Sequence, residues 1–339
     1  MNINKAVKKN WPVYLLGVLL VAGLIAPLAT AQATPGFWLE VLIGGLMAGI
    51  LYSLVALGFA LIFKASGVFN FAQGAMVLFA ALSLARMSEV MPLWAALALS
   101  VVIMVVFAWL VERLVLRSLV NQEGVTLLMA TLGISYFLDG FGQSVWGSGI
   151  YKIDLGIAKE PTMVLESVFQ GGILINKEDL VATVIAATLV GLLALFFQKT
   201  STGRALRAVA DDHQAAQSIG IPLNRIWVIV WAVAGIVALV AGMVWGSKLG
   251  VQFSLQQVAL KALPVVILGG FTSVPGAIVG GLIIGVGEKM AEVFFSPLLV
   301  KAFDLAGGGI ENWFAYVLAL FFLLVRPEGL FGERHIDRV

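Results

Sequence analysis

Long apolar runs separated by short polar links set the pattern of this chain. A membrane-spanning helix needs about 20 mostly apolar residues. Such runs predict ten segments, at 12–31, 39–63, 69–87, 92–117, 125–146, 179–198, 225–247, 257–271, 275–296 and 308–325. Gly269, Gly270 and Pro275 interrupt the pair 257–271 and 275–296. That pair reads either as two short spans or as one broken, re-entrant element. The 199–224 stretch is too polar to cross a bilayer. Within it, helix-forming residues run from Ala205 to Ile219, with Gly220 as a stop and Pro222 just beyond. This predicts a helix outside the membrane, with a small-residue face suited to a partner's groove or simply solvated.

Composition agrees with the pattern. Of 339 residues, 60% are hydrophobic and 12% charged, against about 25% charged in soluble domains. The mean hydropathy is +1.01. The predicted fold class is therefore all-α: a polytopic transmembrane helical bundle of about eight to ten membrane segments. The 37 glycines suit close helix packing in lipid. Gly45 and Gly49, Gly276 and Gly280, and Gly281 and Gly285 are each four apart, so each pair shares a helix face. Trp11, Trp38, Trp94 and Trp146 lie near segment ends, as interfacial anchors do.

Charge placement sets the orientation. Lys5, Lys8 and Lys9, then Arg113 and Arg117, then Lys199, Arg204 and Arg207, and finally Arg326, Arg334 and Arg338 fall on one side if each segment crosses once. The positive-inside rule makes that side cytoplasmic. The 147–178 loop then lies outside. Residues 12–31 have a second reading as a cleaved signal peptide, with Ala29-Thr30-Ala31 or Ala31-Gln32-Ala33 at the cleavage point. The expected organisation is 1–38 as membrane segment or signal, 39–332 as a single membrane domain, and 333–339 as a cytoplasmic tail.

Polar groups at membrane depth are costly and mark functional candidates. Asn70 and Gln73 are three apart, and either line a pathway or tie helices together. Asp139 has Tyr136 and Gln143 near it in sequence. Lys261 has Asp139 or Glu288 as a possible partner, and reads as a residue that lines or gates the pathway. Both halves of the chain contain a glycine-interrupted apolar region, Val68 to Gly74 and Leu268 to Gly276. Paired interruptions of this kind mark substrate regions in transporters, or else plain packing.

Several chemistries are excluded. There is no Cys, so thiolate chemistry and Cys-based metal sites do not arise. His213 and His335 both lie in polar segments, so no metal or cofactor site is expected. No Gly-x-x-x-x-Gly-Lys-Ser/Thr loop occurs, and no His-Glu-x-x-His. An intramembrane enzyme is not supported, nor is nucleic-acid binding, since no basic stripe is present.

Gln214-Ala215-Ala216, three further residues and Gly220 resemble the EAA-type coupling motif of ABC importer permeases, with Gln214 where an acidic residue is usual. Gly44 to Gly58 resembles the first shared helix of branched-chain amino acid permease subunits. Asn70-Phe71-Ala72-Gln73-Gly74 is similar to that family's Asn-Phe-Ala-His-Gly signature, with Gln73 in place of His. Gly203-Arg204-Ala205-Leu206-Arg207-Ala208 resembles its basic lead-in to the coupling helix. Leu268-Gly269-Gly270, Gly276-Ala277 and Gly280-Gly281 resemble its glycine-rich element, and Arg326-Pro327-Glu328-Gly329-Leu330-Phe331-Gly332 its C-terminal signature. The resemblance runs in order over about 39–332.

It implies a multi-pass permease of the cell (inner) membrane, surrounded by lipid. Its implied partners are ATP-binding subunits, a second, paralogous permease, and an extracytoplasmic solute-binding protein. The implied coupling residues are Arg204, Arg207, Gln214, Ala215, Ala216 and Gly220. The implied pathway residues are Asn70, Gln73, Asp139 and Lys261. A urea or short-amide permease is the nearest alternative, and a stand-alone channel or secondary transporter is the alternative from another class.

Overall fold

The computed structural model describes residues 17–18, 21–28, 33–119, 122–169, 172–304 and 309–332. Of the 12–31 segment, residues 17–18 and 21–28 are described and helical; the rest of it, and the 333–339 tail with His335, lie outside the described residues. We name 21–28 α1. There follow α2 (Pro35–Ser66), α3 (Gln73–Ser88), α4 (Leu93–Leu114), α5 (Gly124–Trp146), β1 (Pro161–Val164), β2 (Ile173–Asn176) and α6 (Lys177–Lys199). The second half holds α7 (Ser201–Asp211), α8 (His213–Ser218), α9 (Leu223–Leu249), α10 (Ser254–Leu260), α11 (Leu263–Gly269), α12 (Val274–Met290), α13 (Ser296–Phe303) and α14 (Ile310–Val325). Among the described residues, five helices (α2, α4 with its short extension, α5, α6 and α9) are long and apolar enough to cross a bilayer, and α3 and α14 are shorter apolar helices.

The uncertain pair resolves into a reversal. The chain bends by 115° between Ser254–Gly269 and Val274–Ala302. Ser273 caps α12 by accepting from the Gly276 N–H (3.0 Å), and Pro275 sits in the first turn, where its missing N–H costs nothing. The first limb is itself broken at Lys261 and Ala262, between α10 and α11. The predicted span at 275–296 ends sooner as regular helix, passing through a π turn at Ala291–Phe295 into α13.

α2 is the hub. Thr34 caps its start, accepting from Phe37 N–H, and Pro35 opens the first turn. It ends at Gly67, whose φ of +71° is the left-handed stop that glycine adopts without strain. At 32 residues it is about 48 Å long, more than a bilayer core of about 30 Å requires. Every residue from Leu51 to Ile62 is buried, so all its faces meet protein. By contrast α6 buries one stripe, Ala182, Ala186, Val190, Leu193 and Phe197, and leaves Val184, Leu192 and Leu195 exposed. That is the expected state of a shell helix with one face in lipid.

The tightest crossing joins α2 to α12, which run antiparallel. A Cβ on Gly45 would lie 2.7 Å from Val286 Cα, and one on Gly49 would lie 2.7 Å from Gly281 O. Gly281 and Gly285 face back onto Ser53 and Gly49. Ser53 Oγ donates to Gly49 O (2.7 Å) within this crossing. Gly276 and Gly280 use the other face of α12, against Gly269 and Val265 O of α11.

Between α5 and α6 the described residues include a short hairpin that a helix-only pattern does not predict. β1 and β2 pair antiparallel, with Thr162 opposite Ile175. Tyr151 forms a two-way bridge to Val251 (3.1 and 2.7 Å), and its ring carries the Arg86 guanidinium at 4.9 Å.

Candidate functional site

Three separated stretches build the end of the bundle that the positive-inside rule makes cytoplasmic. Thr200 caps α7, accepting from Gly203 N–H (3.2 Å). Gly203, Leu206 and Val209 form the buried stripe of α7. Gly203 packs directly on the Phe197 backbone, where no Cβ fits. Arg207 donates to Phe197 O at 2.7 Å, a cation at the carbonyl end of α6, where the helix dipole favours it. Arg204 stays on the exposed side.

A cleft of about 220 Å³ lies beside α7, between Lys64 and Leu61 of α2, Arg207, the Thr272–Pro275 turn and Phe331. Lys64 Nζ donates to Thr272 O (3.2 Å). Leu330 N–H and Phe331 N–H donate to Leu268 O (2.8 Å) and Gly269 O (3.0 Å), latching the C-terminal segment onto the end of α11. So the basic lead-in, the glycine-rich turn and the C-terminal stretch, far apart in sequence, meet on one patch.

One helix was expected from Ala205 to Ile219; there are two. Asp212 is extended (φ −160°, ψ 114°) and separates α7 from α8. Asp212 is also the physical cause of the break. Its carboxylate accepts from Ala215 N–H (3.0 Å) and its carbonyl from Ala216 N–H (3.0 Å), a capping pattern that competes with continued helix. Gly220, at φ +87°, ends α8. Ala216 is 2% exposed and faces the bundle, whereas Ala215 is exposed and Ile219 is 73% exposed. The outward apolar face therefore includes Ala215 and Ile219, and sequence reasoning passed over Ile219. A residue four positions after Ala215 was the available signal. The side chains of His213 and Gln214 lie outside the described residues.

Asn70 and Gln73 sit deep. Both are fully buried. Asn70 Oδ1 accepts from Ala72 N–H (3.0 Å), and Asn70 Nδ2 donates to Gln73 Oε1 (3.4 Å). Gln73 Nε2 donates to Ala234 O of α9 (3.3 Å) and packs against Gly58 of α2. Asn70 thus satisfies non-helical backbone at membrane depth, which is tolerated where protein covers it, and Gln73 ties the start of α3 to α9. The two glycine-interrupted regions come together here: the Phe69 ring lies 6.3 Å from the Phe271 ring, edge to face. Gln73→Ala is expected to lower stability by about 1–3 kcal/mol, read as a lower thermal midpoint of the purified permease; an unchanged midpoint contradicts the tie.

Of the two acids considered for Lys261, Glu288 is the one it meets. Lys261 Nζ lies 3.3 Å from Glu288 Oε1, and Tyr52 Oη donates to the same oxygen at 3.1 Å. The Glu288 side chain is 8% exposed and that of Lys261 28%. Lys261 stands at the α10–α11 break, so the pair links the broken limb to α12 and α2. Asp139 is elsewhere, accepting from Gln143 Nε2 (2.9 Å) on its own helix, with Tyr136 and Phe137 exposed beside it.

Residues 41–325 match the family described as branched-chain amino acid transport system, permease component. The chain is similar to the high-affinity branched-chain amino acid transport system permease protein LivH of Salmonella typhimurium, at 26% identity, covering 89% of this chain and 98% of LivH. It is similar to BraD of Pseudomonas aeruginosa, of the same description, at 27% identity over the same shares. It is also similar to the fructose import permease protein FruF of Bifidobacterium longum, at 25% identity over 77% of this chain and 76% of FruF. With several apolar helices arranged as above, this is a multi-pass membrane protein, and the chain belongs to the family of branched-chain amino acid transport permeases.

Proposed function

We propose that this chain is a permease subunit of an ABC importer for branched-chain or related hydrophobic amino acids, and is not itself an enzyme. The observation that carries this is the cytoplasmic patch: α7 lines a cleft with the end of α2, the α11–α12 turn and the C-terminal segment, and α8 follows α7 directly. A push on α8 from a separate ATPase would reach the Thr272–Pro275 turn through α7 and Lys64. That turn joins α11 to α12, and Lys261, just before α11, is paired with Glu288 near the far end of α12. The chain has no P-loop, so ATP is hydrolysed elsewhere. An extracytoplasmic binding protein delivers solute to the outer face.

A second, paralogous permease completes the path. α5 is the least apolar of the five long spans and the least covered by the rest of the chain. Its outward face carries Asp139 and Gln143, a polar pair that is costly against lipid. We read that face as covered by the partner permease, with Asp139 at the shared path. Asn70, Gln73 and Lys261 shape the path from this side.

ATP-dependent uptake of leucine by the complex in vesicles, with loaded binding protein, tests the reading; uptake indifferent to ATP overturns it. Lys261→Ala is expected to reduce that uptake by about tenfold or more, a loss near 1.4 kcal/mol, with the complex still assembled. Because it leaves Glu288 without this cation, Lys261→Met with Glu288→Gln is the companion variant, expected to assemble and still not transport. Normal uptake by either variant removes Lys261 from the pathway.

A further inference from the structure

A second, charged cavity lies in the outer half of the bundle, away from the cytoplasmic patch. Its volume is about 420 Å³, within the range of small-molecule sites. One wall is apolar, with Met47 and Leu51 of α2. The others carry charges of both signs: Lys248 in the last turn of α9, Lys261 at the α10–α11 break, Lys289 near the end of α12, itself paired with Glu292, and Asp179 in the first turn of α6. Lys248 is ion-paired with Asp179, and Lys261 with Glu288. These side chains are partly exposed, 25% for Lys248, 35% for Asp179 and 28% for Lys261.

Two features decide what such a space suits. Ionised groups in a membrane domain are costly unless they face water, each other or a ligand. An ion pair at a cavity wall can exchange its partner for a ligand of matching charge without leaving either charge alone in low dielectric. A neutral sugar offers no such exchange. A phosphate matches the lysines but offers Asp179 no cation in exchange for Lys248. A zwitterion with an aliphatic side chain matches all three surfaces.

We infer that this cavity receives an α-amino acid within the single permease chain. Lys248 and Lys261 hold its carboxylate, Asp179 holds its ammonium, and Met47 and Leu51 contact its side chain. The inference rests on the amino-acid reading above and adds a binding site to it.

The test is saturable binding of radiolabelled L-leucine to the purified complex in nanodiscs, without binding protein. Unlabelled valine should displace it. 4-Methylpentanoate, which lacks the ammonium, and isoamylamine, which lacks the carboxylate, should each compete about tenfold less well or worse, and inorganic phosphate should not compete. Lys248→Met and Asp179→Asn should each weaken binding by a similar factor, and the charge-swapped pair Lys248→Asp with Asp179→Lys, which keeps an ion pair for folding, should weaken it as well. No saturable binding up to about 10 mM, or equal competition by phosphate or 4-methylpentanoate, overturns the site. Leucine uptake by the same complex with its binding protein separates the two claims. Uptake without binding overturns the site alone, whereas absence of uptake overturns the amino-acid reading.

Discussion

Gly285→Leu is expected to abolish accumulation of the permease in the membrane. A Cβ at Gly285 falls inside the van der Waals radii of the Gly49 backbone, and the contact is backbone on backbone. No rotamer change relieves it. α2 is anchored just beyond the contact, where protein surrounds it from Leu51 to Ile62. Overpacking of this kind costs about 1–3 kcal/mol where side chains can adjust, and more where two backbones must part. Immunoblotting of membrane fractions reads the outcome. Gly191→Leu is the matched control: a Cβ there meets nothing within 4 Å, and α6 turns its outer face to lipid. Normal levels of the Gly285 variant would show that the α2–α12 crossing is not what holds the bundle.

The second large effect concerns coupling. Ala215→Arg and Ile219→Asp are each expected to reduce uptake by about tenfold or more while membrane levels stay normal. Both side chains project from the α8 region into water, so folding has little reason to respond, as for surface changes generally. A partner's groove does respond. Arginine is too large for a small-residue contact, and aspartate puts a charge where an apolar knob was, a loss in the range of interface anchors at about 2 kcal/mol. Ala216→Arg should behave differently. Ala216 is buried against its own chain, so this variant should lose protein as well as uptake. Uptake assayed beside immunoblots separates the two patterns, and identical behaviour of Ala215→Arg and Ala216→Arg contradicts the assignment of faces.

Much of this was legible in the sequence because a bilayer imposes a length and a polarity on each span. What hydropathy could not read is which helices are central. Lipid is as apolar as a protein interior, so α2, buried all round, and α6, buried on one stripe, give similar apolar runs. Glycine spacing carried part of the missing information. Gly45, Gly49, Gly281 and Gly285 sit on facing surfaces of α2 and α12, although nothing in the spacing says that Gly276 and Gly280 turn to α11.

The site was legible in its residues and not in its geometry. Lys261 had two acids to choose from, and the choice of Glu288 follows from the reversal at Gly269 to Pro275, which composition leaves open. Asn70 and Gln73 stand out as polar residues in an apolar stretch, yet the tie of Gln73 to Ala234 is a tertiary fact. Asp212 hid its role because an acidic residue inside a helical pattern resembles a surface charge until its cap to Ala215 is seen.

The central claim is that energy enters this chain at α8. The sequence contains no Cys, so a single Ala215→Cys variant gives a site-specific probe without background. The measurement is thiol crosslinking of that variant, within the assembled complex, to the ATP-binding subunit. The account predicts a permease–ATPase product, lost when the cysteine is placed instead at Val164 in the outer hairpin. An Ala215→Cys thiol that reacts freely with a water-soluble maleimide in the intact complex, and forms no product with the ATPase, would contradict it.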